Sequence, residues 1–109
     1  MHWDELLDVD RAGLDFMRWF VGLPGVGDLP DRWCREIDKS GISVALNMAE
    51  GNGRYSELDH QRLVEVAATS AVKARVYLDL YAQKAVPGHL DLAPGSELLG
   101  RIVARLSGF

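Results

Sequence analysis

Three breaks rich in glycine or proline divide this chain into four stretches with helical apolar spacing, and they constrain the fold more than any other feature. The breaks are residues 22–27 (Gly-Leu-Pro-Gly-Val-Gly), the glycines at 51 and 53, and Pro87-Gly88. Glycine commonly follows the end of a helix, and proline cannot continue one. No stretch alternates apolar and polar residues with β-branched enrichment. We therefore predict an all-α chain.

The predicted helices span about 3–21, 29–51, 56–85 and 94–107. Asp28 before Pro30 is a typical start for the second helix. Ser56, with Asp59 three residues later, resembles a capping box at the start of the third. Short loops favour antiparallel neighbours, and 109 residues suit one domain. We expect a single antiparallel four-helix bundle over residues 1–109.

The second and third helices are each apolar on more than one side. In the second, one seam contains Trp33, Ile37, Val44 and Met48, and another contains Cys34, Ile42, Ala45 and Ala49. In the third, a heptad-like seam of Leu63, Val66, Ser70, Ala74, Tyr77 and Tyr81 lies beside a row of Val64, Ala67, Ala71, Leu78 and Ala82. A helix that is apolar on two sides is expected between two partners, either centrally in a bundle or between subunits.

Charge and cysteine content restrict the classes of function. The net charge is −4, and residues 1–31 contain seven acidic against two basic residues. Such a chain is a poor tight binder of nucleic acid as a monomer. With Cys34 as the single cysteine, no intramolecular disulfide can form, which fits a reducing compartment. Without a basic signal start or an apolar run of ~18–20 residues, we predict a cytoplasmic protein without membrane contact.

A polar signature covers residues 43–56, Ser-Val-Ala-Leu-Asn-Met-Ala-Glu-Gly-Asn-Gly-Arg-Tyr-Ser. It resembles the pattern of the bacterial four-helix-bundle proteins of the 23S rRNA intervening-sequence family, which is Ser-Ile, two variable residues, Asn-Ile-Ala-Glu-Gly, then Gly-Arg and Ser. The matching residues are Ser43, Asn47, Ala49, Glu50, Gly51, Gly53, Arg54 and Ser56, with Val44 and Met48 as conservative replacements. The chain departs from the family at Thr69-Ser70 and Lys73, where a Gly-Ser and a glutamate are usual.

The resemblance implies a ring-shaped homo-oligomer, a pentamer. The two-sided second helix, the long face of small residues on the third helix and the lack of a catalytic constellation favour a non-catalytic scaffold or adaptor, and they are compatible with a protein partner. The fold is also similar to the accessory subunit of diversity-generating retroelements, which engages a reverse transcriptase and RNA. An RNA-binding accessory protein in a ribonucleoprotein is therefore the alternative function.

Ser43, Asn47 and Glu50 are spaced to share one face near the end of the second helix. We interpret Asn47 and Glu50 as structural residues that tie the following turn and neighbouring backbone amides together. In the alternative, Asn47, Glu50 and Arg54 form a polar site at a subunit interface or partner surface.

The sequence offers no catalytic or metal-binding constellation, so we predict no enzyme activity and no cofactor. Glu50 lacks a second acid or a paired histidine. His2, His60 and His89 lack ligand spacing and are expected at the terminus, on the surface of the third helix and in a loop. Cys34 is expected to be a buried structural thiol. Trp3, Trp19 and Trp33 fit core packing better than a base-stacking platform.

One stripe on the third helix is a candidate RNA-facing surface. Arg62, Lys73 and Lys84 are eleven residues apart, close to three helical turns, and Val76 and Leu80 lie on the same stripe. The simpler interpretation is that long side chains cover the edge of an apolar face. In a ring, the stripe would repeat and modest basic patches would add.

Overall fold

Four α-helices account for most of the described chain. A computed structural model describes residues 3–52, 56–84 and 90–107, with side chains for 8–51, 56–83 and 90–106. The helices are α1 (Trp3–Gly22), α2 (Asp31–Asn52), α3 (Glu57–Lys84) and α4 (Ala93–Ser107), with a short 3-10 turn at Val26–Asp28. Those ranges contain no strand, so the prediction of an all-helical chain is confirmed.

Local hydrogen bonds explain where α2 and α3 begin. The Ser56 hydroxyl accepts a hydrogen bond from the Asp59 amide at 3.4 Å, as expected for a serine N-cap. The predicted start of α2 is two residues early, because Asp28 belongs to the 3-10 turn. The Pro30 carbonyl accepts the first helical bond from the Cys34 amide at 3.0 Å. Gly25, with φ of +83°, supplies the left-handed residue before that turn.

Each helix packs against two others, α1 and α3 both lying beside α2 and α4. The structure measures 46 × 21 × 20 Å, and its long dimension is close to the ~42 Å expected for the 28-residue α3 at 1.5 Å per residue. The core contains apolar side chains from all four helices: Val9, Ala12, Phe16, Phe20, Ile37, Val44, Met48, Val64, Ala67, Ala71, Ala74, Leu78, Leu99, Ile102 and Leu106. The last three of these residues are the contribution of α4.

The core-facing side of α3 is the row of small residues. Val64, Ala67, Ala71 and Leu78 of that row are buried, and so is Ala74 of the neighbouring seam. Their short side chains let neighbouring helices approach closely. The assignment of Val66 to the packed seam is wrong, because its side chain is 42% exposed, and Ala82 of the other row is exposed as well. Two apolar rows on one helix make periodicity alone ambiguous about which row is inside.

Glycines allow α1 to lie close to both of its neighbours. A methyl group at Gly41 of α2 would overlap the Met17 sulfur, and one at Gly95 of α4 would overlap the Trp19 ring. Trp19 also packs beside Phe16, with ring centroids 5.7 Å apart. Core packing is thus the role of Trp19, whereas the side chain of Trp3 and all of His2 and His89 lie outside the described residues.

None of the described helices is both long enough and apolar enough to cross a membrane.

Candidate functional site

Two signature residues of α2, Ser43 and Asn47, form a polar cluster with Ser70 of α3. The hydroxyls of Ser43 and Ser70 are 2.7 Å apart across the two helices. The Asn47 side-chain nitrogen donates to the Ser43 backbone carbonyl at 2.7 Å and to the Ser43 hydroxyl at 3.1 Å. All three side chains are partly buried. The Asn47 amide nitrogen thus bonds back along α2. Residues 53–55 of the following turn lie outside the described residues, so the predicted ties from Asn47 and Glu50 to that turn stay a prediction.

His60 occupies a position at the end of α2 that the sequence did not suggest. Its ring Nδ1 lies 3.0 Å from the Gly51 carbonyl oxygen, and because a carbonyl can only accept, Nδ1 is the donor. The last carbonyls of a helix lack intrahelical partners, so this bond satisfies one of them. His60 lies on α3 as expected, but its side chain is half-buried and contacts the end of α2. No simple sequence pattern predicts a contact between two residues that are nine positions apart across a turn, as Gly51 and His60 are.

The remaining signature residues are only partly described. Ser56 caps α3, Gly51 is buried, and Glu50 is exposed on the last turns of α2. Gly53 and Arg54 lie outside the described residues. The polar site that Asn47, Glu50 and Arg54 were predicted to form therefore stays a prediction, with the Ser43–Asn47–Ser70 cluster as its described part.

The candidate RNA-facing stripe contains a lysine that forms an ion pair within the chain. The Lys73 ammonium lies 3.2 Å from the Glu36 carboxylate of α2, so its charge is partly compensated within the chain. Arg62 is exposed, whereas the side chain of Lys84 lies outside the described residues. Val76 and Leu80, predicted on the same stripe, are 49% and 43% exposed. The stripe is therefore more apolar than basic where it is described.

Five of the nine large apolar side chains that are exposed in the described part of the chain lie on the side of α3 opposite the core. We call it the α3 outer face. Its apolar members are between 42% and 65% exposed: Leu58, Val66, Val72, Val76 and Leu80. At 100° per residue these positions share one side of the helix, directly opposite Ala67, Ala71 and Leu78. Exposed apolar residues gathered on one helix face are typical of an interaction surface.

The outer side of α2 carries exposed apolar residues of its own. Ile42 and Leu46 are 43% and 59% exposed, so one member of the predicted second seam and its neighbour remain uncovered in the single chain. Cys34, from the same seam, is half-buried and a free thiol. Trp33, at the start of α2, instead packs edge-on against Tyr77 and Tyr81 of α3, with centroids 6.0 and 5.9 Å away.

Ion pairs and a hydroxyl contact connect the other helices. Asp8 of α1 faces two arginines of α4, with Arg105 at 3.0 Å and Arg101 at 3.8 Å. The Ser96 hydroxyl of α4 donates to the Asp79 carboxylate of α3 at 3.1 Å. Within the described ranges, no three His, Cys, Asp or Glu side chains are grouped as metal ligands would be.

No protein-family model, curated protein or solved structure matches the chain. The resemblance to the intervening-sequence family therefore stays a prediction from the sequence.

Proposed function

We propose that this chain is a non-catalytic scaffold or adaptor that assembles with copies of itself, as a protein of the 23S rRNA intervening-sequence type. The observation that supports this function best is the α3 outer face. Burying an apolar side chain stabilises a protein by ~25 cal/mol for every Å² of apolar surface that is removed from water. An exposed apolar side chain lacks this stabilisation. Five such residues on one helix, with Ile42 and Leu46 on the next, favour a surface that is covered in the working protein.

The proposed building block is an antiparallel four-helix bundle. Its support is the order of contacts between α2 and α3, in which residue numbers fall along one helix as they rise along the other. The pairs are Gly51–His60, Ser43–Ser70, Glu36–Lys73 and Trp33–Tyr77. Contacts of Asp8 with Arg105 and of Trp19 with Gly95 follow the same rule between α1 and α4.

A ring of five chains is the assembly that the family resemblance implies. Closed rings use head-to-tail contacts, in which two different patches of each copy meet. The exposed apolar residues of α2, Ile42 and Leu46, supply a candidate patch for such contacts. Scaffolding then follows from repetition, because each copy would present the same exposed residues to a partner around the ring.

A matched pair of variants tests whether the apolar surface mediates assembly. Val76→Asp places a charge in the α3 outer face, whereas Leu14→Asp places the same charge at a similarly exposed apolar residue of α1 (49% and 48% exposed). We expect Val76→Asp to lower the solution mass measured by light scattering, and Leu14→Asp to leave it at the wild-type value. Equal masses for both variants and the wild type would contradict the proposal.

RNA binding is the less favoured function, since the Lys73–Glu36 pair reduces the basic character of the stripe. Simultaneous replacement of Arg62, Lys73 and Lys84 by alanine is expected to leave RNA retention in a filter-binding assay unchanged. A salt-sensitive affinity that the triple variant abolishes would instead favour the RNA-binding accessory role.

A further inference from the structure

The α3 outer face is nearly symmetric about its centre, Thr69. Eight of its exposed positions form pairs three, four, seven and eleven residues to either side of that threonine: Leu58, Arg62, Glu65, Val66, Val72, Lys73, Val76 and Leu80. Alternating steps of three and four residues are the spacing by which one helix contacts another along its whole length. From Leu58 to Leu80 the face extends ~33 Å at 1.5 Å per residue.

The chemistry of the face is symmetric as well as its spacing. The outermost positions are both leucine (Leu58 and Leu80), and the positions three residues from the centre are both valine (Val66 and Val72). Four residues from the centre, the two sides carry opposite charges, Glu65 and Lys73.

The positions seven residues from Thr69 are the exception, with Arg62 on one side and Val76 on the other. The methylene stem of an arginine can nevertheless cover a valine while its charged end stays in water. This pair is therefore compatible with contact between the two positions.

From this symmetry we propose that α3 pairs with α3 of a second copy, antiparallel, about a two-fold axis through Thr69. In a two-fold contact, residues equally far from the axis meet. Leucine would then lie against leucine, valine against valine, and Glu65 of each copy against Lys73 of the other. The inference rests on the proposed self-assembly and names the surface and the partner, a second copy of this chain.

The charges around Lys73 favour this pairing. Its ammonium lies 3.2 Å from Glu36 and its side chain remains 51% exposed, so it can receive a second carboxylate from the solvent side. Glu65 of the second copy approaches from that side, and each Lys73 then lies between two acids. A parallel arrangement would place Lys73 against Lys73 and Glu65 against Glu65, and like-charge repulsion opposes it.

The two-fold contact differs from the contacts that close a ring. A ring needs two different patches on each copy, whereas the α3 pair uses one patch twice. The pair therefore gives a dimer by itself. In a chain that also forms rings through another surface, it joins two rings.

Cysteine cross-linking tests the axis directly, in a Cys34→Ala background. Thr69→Cys places two thiols on the axis, where mild oxidation should link most chains into dimers on a non-reducing gel. Val76→Cys is the matched control on the same face, because two such thiols would be ~21 Å apart at 1.5 Å per residue. Val76→Cys alone should stay unlinked, and mixing it with Arg62→Cys should restore the cross-link. Equal linking of Thr69→Cys and Val76→Cys would overturn the axis.

Charge reversal gives a second readout that does not depend on oxidation. Glu65→Lys turns both attractive pairs into repulsive ones and should raise the dissociation constant about tenfold. Glu97→Lys makes the same charge change at an exposed position of α4 and should leave it unchanged.

The outcomes separate the two proposals. A wild-type chain that stays monomeric would overturn both. A wild-type oligomer without selective Thr69→Cys linking, in which Glu65→Lys and Glu97→Lys behave alike, would overturn the two-fold contact and leave the scaffold proposal standing.

Discussion

α4 is apolar on one side, whereas α3 is apolar on two opposite sides. Both helices pack against two neighbours in the bundle. One apolar side would therefore be enough for the packing of either helix. The described part of α4 exposes no large apolar side chain, yet α3 exposes five. The five apolar side chains on the outer side of α3 are left uncovered by the described part of the chain, and we propose that they contact other chains.

The two sides of α3 also differ in side-chain size. The inner side contains three alanines, at 67, 71 and 74, all fully buried, which bring the helix close to its neighbours. The outer side has leucine and valine. Their larger side chains suit a contact with a second helix whose axis lies further away. The inner side should therefore be sensitive to added volume, and the outer side to added charge.

The largest expected effect comes from overpacking the inner side. Ala71→Trp introduces an indole where no space exists and should destabilise the fold by at least about 3 kcal/mol, lowering the melting temperature by about 12–20 °C. Val72→Trp, one residue further on the outer face, should retain a cooperative transition within about 5 °C of the wild type. Circular dichroism melts check both, and similar losses in the two variants would mean that the inner side is wrongly placed.

A smaller effect is expected where α1 meets α4. Gly95→Ala forces the Trp19 ring to move and should cost about 2 kcal/mol in the free energy of unfolding. Gly22→Ala, at a helical glycine with no atom near its added methyl group, should be neutral or slightly stabilising. Urea titration measures both. A neutral Gly95→Ala would show that this contact is looser than the structure places it.

The smallest effect separates the α2–α3 contact from the α3–α4 contact. Ser70→Ala removes the hydroxyl that faces Ser43 in a partly buried site and should cost about 1 kcal/mol. Ser96→Ala removes the hydroxyl bonded to Asp79 at an exposed site, where water can replace it, and should cost less than about 0.5 kcal/mol. The reverse order in chemical denaturation would contradict the role assigned to the α2–α3 cluster.

Local signals predicted the helices well. Ser56 caps α3 through its own neighbour Asp59, and a bond over three residues is visible in sequence. The start of α2 was harder to predict, because Asp28, which favours a helix start, belongs to the 3-10 turn at Val26–Asp28. The inner row of α3 could not be distinguished from its neighbour, since both rows are apolar at helical spacing.

Contacts between distant residues were beyond sequence reasoning. Ser43 and Ser70 are 27 residues apart, and their pairing depends on the register of α2 against α3. The bond from His60 to Gly51 depends on the path of the chain around the turn. The Glu36–Lys73 pair has the same origin, and it changes the interpretation of Lys73 from a free basic residue to a partly neutralised one.

Solution mass, measured by light scattering on a sizing column over a range of concentrations, tests the central claim that α3 is built for contact between chains. Assembly predicts a mass of at least two chains of 12.1 kDa each, about 24.2 kDa for the α3 pair alone and about 60.5 kDa for a ring of five. A mass of 12.1 kDa at every concentration would contradict the claim and leave the α3 outer face without a second copy to cover it.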